Sequence, residues 1–566
     1  MTSPRIVNRT VSPRAEDQLV REGIHPLLAR IFAARGVRAR AELEHALAAL
    51  IPPQTLLGAD RAAALLADAI AARRRLLIVA DYDCDGATAC ALGVRALKAF
   101  GADVEYIVPD RFRLGYGLTP EIVAQAAARR PGVIITVDNG IASIEGVDAA
   151  NRLGIQVVIT DHHLPGAELP RAAVIVNPNQ RGCAFPSKHL AGVGVMFYVM
   201  LALRAELRRR GAFAARSAPN LADLLDLVAL GTVADVVRLD QNNRVLVAQG
   251  LRRICRGRLQ PGVRALLAVA GRDHARASTF DLGFAAGPRL NAAGRLEDMR
   301  VGIECLIADD FGRALELARA LDDLNRERRA IEADMQAKAD SLLEGIAVRE
   351  SCTLALYDPT WHQGVVGILA GRLKDRHHRP VVAFARGDGG ELRGSGRSIA
   401  GVHLRDAFDL VAKREPGVIL RFGGHAAAAG LALREGDFAR FSAAFEAVVR
   451  ELLGPQDLEH VIETDGPLEP AYLSLDMARV LAEQIWGQGF PQPLFCDEFE
   501  VVNQRVVGER HLKLRLARAG RTLEAMRYQS LEAFPARVLA AYRLSVNEFN
   551  GAQSLQLVIE HWQGVA

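Results

Sequence analysis

The sequence has few cysteines, and they do not form the patterns that bind zinc or build a disulfide framework. Seven cysteines are spread over 566 residues. Their number is odd and no C-x-x-C pair occurs. The N-terminal residues lack the apolar segment of a signal peptide, and no run of eighteen apolar residues is available to span a membrane. We therefore expect a protein of the reducing cytoplasm that does not contact a membrane.

Lysine, aromatic residues and net charge are also scarce. Only six of the 70 basic residues are lysine, and aromatic residues make up 5% of the chain. Arginine binds phosphate in a bidentate manner, although codon composition would produce the same excess. The net charge of +4 is too small to indicate a nucleic-acid partner. With 50% hydrophobic and 24% charged residues, the chain is not disordered, collagen-like or a coiled coil.

The length predicts roughly three to five domains, and the first large one is an α/β domain. Short apolar strands alternate with helical stretches, which is typical of βαβ units and a buried parallel sheet. The predicted strands are LLIVA (76–80), VEYIV (104–108), VIITV (133–137), QVVIT (156–160) and AVIV (173–176).

The remainder of the chain predicts a long connecting helix at 314–345, a second α/β domain that begins near 352, and a small C-terminal β-barrel of short alternating strands. We expect an N-terminal helical element, a first α/β domain, a loop with the connecting helix, a second α/β domain and the barrel, at 1–55, 56–270, 271–348, 349–457 and 458–566.

Acidic residues follow three strands of the first α/β domain directly. Asp81, Asp138 and Asp161 each come immediately after a predicted strand. Because ligands bind outside the carboxyl ends of parallel strands, we expect these acids to converge at one edge of the sheet. Their polar neighbours are Asp83, Asp85, Asn139, His162 and His163.

Converging carboxylates raise each other's pKa unless a cation neutralises them, so a metal centre is expected. The D-x-D-x-D-G spacing resembles the start of a calcium loop, but Leu92 stands where that loop needs glutamate. Mixed carboxylate and imidazole ligands suit manganese, with magnesium as the alternative and zinc less suitable. Each motif alone is commonly a turn, a helix cap or an exposed polar pair, and their occurrence together favours a metal.

These motifs resemble a known family. The four acidic motifs are similar to those of the DHH phosphoesterase superfamily: DYDCDG (81–86), VDNG (137–140), TDHH (160–163) and GTVADVVRL (231–239). Further motifs resemble the RecJ family of single-strand-specific 5′-to-3′ DNA exonucleases within it: DRFRLGYGL (110–118), GPRLNAAGRL (287–296), WHQGVVGILAGRL (361–373), GSGRS (394–398) and RFGGHAAAAG (421–430). The resemblance covers nearly the whole chain.

The resemblance implies a catalytic domain with two divalent cations, most consistent with manganese or magnesium. The ligands that it implies are Asp83, Asp85, Asp138, His162 and Asp235, with Asp138 bridging the ions. His163 would contact the scissile phosphate or adjust the properties of a metal ligand. Asp81 would be a metal ligand or would form a hydrogen bond to a metal ligand. Cys84 is expected to be structural, because the hard ligands around it do not call for a thiolate.

The resemblance also implies residues that bind DNA. In glycine-rich stretches assigned to the second α/β domain, the expected phosphate-binding residues are Arg289, Asn291, Ser395, Arg397, Ser398 and His425. Arg289 and Arg397 are expected to bind a terminal 5′ phosphate. Near the second strand, Arg111 would pair with the DNA backbone while Phe112 and Tyr116 stack on bases. The alternatives are ordinary turns and packing residues.

The barrel resembles an OB-fold, and residues 501–545 carry nine basic and three acidic residues. That surplus predicts binding of the single-stranded DNA backbone. The family resemblance implies single-stranded-DNA-specific 5′-to-3′ exonuclease cleavage that releases 5′ mononucleotides in recombination and repair. It also implies a helicase and a single-strand-binding protein as partners, and we expect a monomeric enzyme.

Two other functions remain as alternatives. A DHH phosphodiesterase of short oligoribonucleotides or cyclic dinucleotides would not need this length or a basic tail. A non-catalytic DHH scaffold that binds DNA would be expected to lose metal ligands, whereas every motif is intact here.

Overall fold

A computed structural model describes residues 4–109, 117–344, 348 and 350–565. Three residues with an expected DNA contact, Arg111, Phe112 and Tyr116, lie outside these ranges. Among the described residues, the helices are all too short or too polar to cross a lipid bilayer.

The N-terminal element packs on the C-terminal part of the chain. Its elements are β1 (Arg5–Asn8), α1 (Pro13–Arg21) and α2 (Pro26–Ala33). Only helices were predicted here, but β1 pairs in parallel with the strand Val461–Thr464. Phe32 contacts the rings of Trp486 and Phe490, and the Arg35 guanidinium lies 2.7 Å from an Asp465 carboxylate oxygen in a buried ion pair. The local pattern of β1 is too short to identify a strand whose partner is about 450 residues away.

The first α/β domain contains the predicted parallel sheet. Its elements are α3 (Ala59–Ala71), β2 (Leu76–Ala80), α4 (Cys84–Phe100), β3 (Val104–Ile107), α5 (Pro120–Ala127), β4 (Val133–Val137), α6 (Ile144–Arg152), β5 (Gln156–Thr160) and β6 (Val174–Val176). The strands follow the order β3-β2-β4-β5-β6 and all neighbours are parallel. Every residue of β2 and β4 is buried, because helices cover both faces of the sheet, and this explains their uninterrupted apolar sequences.

Helices complete this domain and lead out of it. They are α7 (Gly192–Arg209), α8 (Leu225–Ala234), α9 (Gln241–Cys255), α10 (Pro261–Val269), a π-helical segment (Asp281–Ala286), α11 (Gly287–Leu296), α12 (Arg300–Ile307) and α13 (Phe311–Glu344). The helix α13 is the predicted connecting helix. Leu321 near its start belongs to the core of the first domain, whereas Met335 and Ala339 pack in the core of the second. The two α/β domains therefore share one continuous helix.

The second α/β domain has a mixed sheet. Its elements are β7 (Leu354–Tyr357), α14 (Val366–His377), β8 (Val381–Arg386), β9 (Glu391–Arg397), α15 (Leu404–Arg414), β10 (Arg421–Gly424), β11 (Ala428–Arg434) and α16 (Phe438–Leu452). The strand order is β10-β11-β9-β8-β7, with only β7 and β8 parallel. Phe384, Phe408, Phe441 and Phe445 form much of its core.

The C-terminal region contains the predicted barrel. Its elements are β12 (Val461–Thr464), α17 (Leu475–Ala482), β13 (Phe495–Val507), β14 (His511–Arg518), β15 (Arg521–Arg527), β16 (Arg537–Phe549) and β17 (Ala552–Gly564). The five strands β13-β14-β15-β17-β16 close on themselves through a short parallel pairing of β15 with β17. Alternate residues of β14, namely Leu512, Leu514 and Leu516, point into the core, as the period of two requires.

Candidate metal centre

The backbone at the end of β4 directs Asp138 toward the edge of the sheet. Asp138 has a φ of +63°, a left-handed conformation that is uncommon for residues other than glycine. Its amide donates to the Thr160 carbonyl oxygen at 3.0 Å. A Cβ atom on Gly192 would lie 2.5 Å from Asp138 Oδ1, so only glycine permits this close approach. Tight packing therefore holds the Asp138 carboxylate in place.

The next two acids lie at the start of α4. Asp83 caps the helix by accepting a hydrogen bond from the Gly86 amide at 3.0 Å. Asp85 is fully buried and accepts hydrogen bonds from the Gly192 and Val193 amides, at 2.5 and 2.8 Å. These amides belong to the first turn of α7, where the helix dipole favours a negative charge. The positions of Asp83 and Asp85 are thus fixed by two helix N-termini.

His162 lies at the centre of the cluster. Its Nε2 atom is 3.1 Å from Asp138 Oδ1, 3.6 Å from Asp235 Oδ2 and 4.0 Å from Asp85 Oδ2. Donor atoms that lie within 4.8 Å of one another form three overlapping groups: Asp138, His162 and His163; Asp85, His162 and Asp235; and Asp81, Asp83 and Asp138. The structure thus brings together every residue that the sequence assigned to the metal or to catalysis.

The protonation states favour cation binding. Burial, with the charge of Asp83, raises the pKa of Asp85 to about 7. Burial and the neighbouring carboxylates raise the pKa values of Asp138 and Asp235 well above their usual range. Burial lowers the pKa of His162 to about 4, so its imidazole is neutral. A neutral imidazole can ligate a metal, and a bound cation would keep the surrounding carboxylates ionised.

The donor set fits a divalent cation. His162 Nε2 is buried and forms no hydrogen bond within the described part of the chain, although three carboxylates surround it. Aspartate oxygens with a single imidazole suit manganese and magnesium better than soft metals. The buried thiol of Cys84, whose pKa burial and nearby carboxylates raise, is unsuited to ligation.

Asp161 directly follows β5 at the predicted edge of the sheet, but it belongs to none of the three groups of donor atoms. Its carboxylate accepts hydrogen bonds from the amides of Ile141, His162 and His163 at 2.7–3.1 Å. It also binds His163 Nδ1 at 2.7 Å. Burial alone would raise the pKa of Asp161, but these histidine contacts and amides hold it below its usual value. Asp161 therefore orients the two histidines.

The surroundings of His163 favour its protonated form. Burial opposes its protonation, but the hydrogen bond to Asp161 and the charges of Asp161, Asp81 and Asp83 raise its pKa. The ring of His425, from the second α/β domain, lies 6.1 Å from the His163 ring at an angle of 18°. The second domain thus faces the carboxyl edge of the first sheet.

Two supporting residues were not identified from the sequence. The Asn139 side chain donates to the carbonyl oxygens of Val79 and Val137, at 3.2 and 2.9 Å, and so joins the ends of β2 and β4. Its place in the VDNG motif was the available signal. No pattern in the sequence around Gly192 indicates its role, because glycine is required there only by the close contact with Asp138.

Arg397 and Ser395 lie against the first turn of α14. The guanidinium of Arg397 donates to the Gly396 carbonyl oxygen at 2.8 Å and to Ser395 Oγ at 3.2 Å. A Cβ atom on Gly367 would be 2.8 Å from Ser395 Oγ and 3.2 Å from an Arg397 nitrogen. Burial lowers the pKa of Arg397, and no carboxylate of a described residue forms an ion pair with it.

The other residues expected at phosphates have protein partners. Arg289 lies on α11, which packs on the first domain rather than in a loop of the second, and it forms an ion pair with Asp322 at 2.8 Å. Asn291 accepts a hydrogen bond from the Cys84 amide at 2.7 Å. The Ser398 hydroxyl donates to the Val402 carbonyl oxygen at 2.9 Å. Their contact with phosphate stays a prediction.

The basic surplus of residues 501–545 does not extend to the whole barrel. From Phe495 to Gly564 the barrel contains nine basic and eight acidic residues, a net charge of +1, because acids flank the segment that was counted. Many of the cations are paired: Arg518 with Asp497 at 2.6 Å, Lys513 with Glu524 at 2.9 Å and Arg537 with Glu498 at 3.4 Å. Arg505 and Arg510 are exposed.

Comparison with known proteins gives matches to three families. Residues 75–232 match the DHH family, N-terminal domain; residues 350–451 match the DHHA1 domain; and residues 464–561 match the RecJ OB domain. Together they cover the first α/β domain, the second and the barrel.

Relatives and solved structures match over nearly the full length. The single-stranded-DNA-specific exonuclease RecJ of Dickeya dadantii is 52% identical over 97% of this chain and 98% of that protein. The crystal structure of RecJ from Thermus thermophilus in complex with Mn²⁺ is 30% identical, with a TM-score of 0.83 over 99% of this chain and 79% of that one. Its complex with Mg²⁺ has a TM-score of 0.78 at 29% identity and covers 99% of this chain and 78% of that one. The chain therefore belongs to the RecJ family, within the DHH family of proteins.

Proposed function

We propose that the protein is a metal-dependent exonuclease that degrades single-stranded DNA from its 5′ end and releases 5′ mononucleotides. One observation carries the proposal: Asp85, Asp138 and Asp235 converge on the neutral imidazole of His162. This cluster occurs in a chain that is 52% identical to a single-stranded-DNA-specific exonuclease.

The residues that would hold two divalent cations are Asp83, Asp85, Asp138, His162 and Asp235. Asp138 belongs to two of the three groups of donor atoms, which suits a bridging ligand. Asp81 shares a group with Asp83 and Asp138, so it is a ligand or supports one. Two cations about 3.5–4 Å apart lower the pKa of a bound water and stabilise the attacking and leaving oxygens of the phosphodiester.

The protein's own residues would position the phosphate. His163, whose protonated form is favoured by its hydrogen bond to Asp161, would donate a hydrogen bond to a non-bridging phosphate oxygen through Nε2, because Nδ1 is engaged by Asp161. His425 stacks beside it and can contact the same phosphate from the second domain. The two histidines thus hold the scissile phosphate between the domains.

Arg397 and Ser395 would bind the terminal 5′ phosphate and set the direction of digestion. A mostly buried guanidinium without a carboxylate partner in the described chain is costly unless an anion joins it. The first turn of α14 beside it adds backbone amides that favour an anion. A terminal phosphate held here would place the first phosphodiester bond at the metal centre.

A helicase and a single-strand-binding protein are proposed as partners, because an enzyme that accepts only single strands needs another protein to unwind a duplex. We further propose a monomer that acts in the cytoplasm in recombination and repair. The seven cysteines are free in the structure, as expected in a reducing compartment.

The test is manganese-dependent nucleotide release from three matched substrates: 5′-phosphorylated single-stranded DNA, the same sequence as a blunt duplex, and a short RNA. We expect rapid release of 5′ mononucleotides from the single strand and little from the duplex. Preference for the short RNA would favour a small-substrate phosphodiesterase. Binding of DNA without release from any substrate would favour a non-catalytic scaffold.

A further inference from the structure

Two phenylalanines form an exposed pair at the π-helical segment Asp281–Ala286: Phe280 directly precedes it and Phe284 lies within it. Phe280 is 56% exposed and Phe284 is 69% exposed. Their rings are stacked, with centroids 4.9 Å apart and an angle of 27° between the planes. Residues four apart lie on one face of a helical turn. The pair therefore presents one continuous aromatic surface to solvent.

The backbone beneath the pair is firmly held. Leu282 and Ala286 are fully buried on the opposite face. The Asp281 carboxylate accepts hydrogen bonds from the Ser278 amide and hydroxyl, at 2.9 and 2.8 Å. The exposure of the two rings is thus a property of an ordered surface, and π-helical segments occur frequently at functional sites.

The segment packs directly behind the metal centre. A Cβ atom on Gly283 would be 3.2 Å from Val233, and one on Gly287 would be 3.0 Å from Ala234. Val233 and Ala234 immediately precede Asp235, whose carboxylate lies 3.6 Å from His162 Nε2. The aromatic pair is thus coupled through one layer of packing to a proposed metal ligand.

Arginines lie near the pair. The Arg272 guanidinium lies 6.0 Å from the centre of the Phe280 ring, and its Nε atom lies 3.4 Å from an Asp281 carboxylate oxygen. Burial is the largest cause that lowers the pKa of Arg289. The charges of the nearby Arg272 and of the exposed Arg329 lower it further. On the other side, Arg276 forms an ion pair with Glu548 of β16, so this surface reaches the barrel.

We propose that Phe280 and Phe284 form a stacking platform for unpaired bases of the strand that is being digested, between the metal centre and the barrel. The inference rests on the proposed function. Aromatic faces bordered by arginine bind single strands without sequence preference, because every base has a flat face and the cations pair with the phosphates. The charges around the pair favour this occupant over an apolar protein segment.

The test compares wild type with the double variant Phe280→Ala/Phe284→Ala on 5′-phosphorylated single-stranded DNA of about 20 nucleotides and on a 5′-phosphorylated dinucleotide, with manganese. Loss of base stacking should raise KM on the long substrate about tenfold and leave kcat within twofold. A dinucleotide has no strand beyond its single phosphodiester bond, which must lie at the metal centre to be cleaved, so its kcat/KM should not change.

Two controls separate stacking from a structural effect. Phe280→Trp/Phe284→Trp should keep the wild-type KM, because indole also stacks on bases. Leu153→Ala removes a side chain of similar exposure, 56%, that precedes β5 at the opposite edge of the sheet and should change nothing. Single abasic residues placed along the substrate should reveal a position that raises KM for wild type but not for the alanine variant.

An unchanged KM of the alanine variant on long DNA would overturn the inference, as would an equal loss on the dinucleotide. If wild type releases no nucleotide from single-stranded DNA, the proposed function itself fails, and this result is separate from any difference between the variants.

Discussion

The edge of the first sheet and the surface of the barrel both contain many charged residues, but they differ in how those charges are paired. At the sheet edge, Asp85, Asp138 and Asp235 surround a neutral histidine. On the barrel, Arg518 and Lys513 have carboxylate partners within 3 Å. One region has a large uncompensated charge, whereas the other is nearly neutral.

The difference shows that a ligand is indicated by unpaired charge rather than by the number of charged residues. Burial and the neighbouring carboxylates raise the pKa values of Asp138 and Asp235, and a divalent cation offsets that cost. Many of the barrel's cations are already paired with carboxylates of the barrel. Such exposed ion pairs contribute little to the free energy of unfolding. The metal centre should therefore dominate activity, and the barrel should adjust affinity.

The largest effect is expected at Asp138. Asp138→Ala removes the carboxylate that two donor groups share, so nucleotide release with manganese should fall by at least about a thousandfold. Activity assays should be accompanied by circular dichroism and thermal melting, which should remain close to wild type.

Asp148→Ala is the matched control for Asp138→Ala. Asp148 lies on α6 and pairs with Arg171 at 3.0 Å, away from the cluster. Its loss should leave activity unchanged. Comparable activity of the Asp138 variant and wild type would contradict the assignment of the sheet edge as the metal centre.

A smaller effect is expected at Arg397. Arg397→Ala should lower kcat/KM about 10- to 100-fold on DNA with a 5′ phosphate, the value of a charge-assisted hydrogen bond or two. On DNA with a 5′ hydroxyl the loss should be slight. Arg386→Ala, which removes an exposed arginine paired with Glu435 at 3.1 Å, is the control. An undiminished preference for phosphorylated ends would make the assignment of Arg397 wrong.

Manganese affinity should depend on pH. Without a cation, burial and Asp83 raise the pKa of Asp85 to about 7, so below that pH a proton competes with the metal. Below pH 7, the affinity for manganese should fall up to about tenfold per pH unit for each proton that the metal displaces. Above pH 7, Asp85 is ionised and should contribute no further pH dependence. Calorimetric titrations at pH 6 and pH 8 measure this, and equal affinities would rule out proton competition.

The smallest effect is expected on the barrel. Arg505→Glu/Arg510→Glu changes two exposed arginines, and we expect KM on long DNA to rise about threefold and the salt dependence of KM to become shallower. Arg537→Ala, in which the lost arginine is paired with Glu498, is the control. A larger loss than for Arg397→Ala would reverse the ranking of the two regions.

Deleting the whole barrel is a less informative test, although the sequence suggests it. Arg35 in the N-terminal element pairs with Asp465 inside the C-terminal region, and Phe32 packs on Trp486. The truncated protein would lose part of the core of its N-terminal element, so a change in KM could not be attributed to DNA contacts.

The sequence predicted the parallel sheet and the convergence of Asp138 and His162 because a local rule applies to them. Apolar strands that end in polar residues place those residues at one edge of a parallel sheet. The long helix α13 and the alternating strands of the barrel also follow from local periodicity.

The remaining features depend on contacts between distant parts of the chain. Asp161 has the same position after a strand as Asp138, but its carboxylate is engaged by three backbone amides and by His163 Nδ1. The partner of Arg289, Asp322, lies on another helix. The counterions of Arg518 and Arg537, which are Asp497 and Glu498, lie outside the counted segment. Sequence spacing contains none of these pairings.

Anomalous diffraction from crystals grown with manganese tests the central claim most directly. We predict two anomalous peaks roughly 3.5–4 Å apart, with Asp138 between them and His162 bound to one. The same crystals of Asp138→Ala should lose at least one peak. Absence of anomalous density among these carboxylates in the wild-type protein would contradict the account.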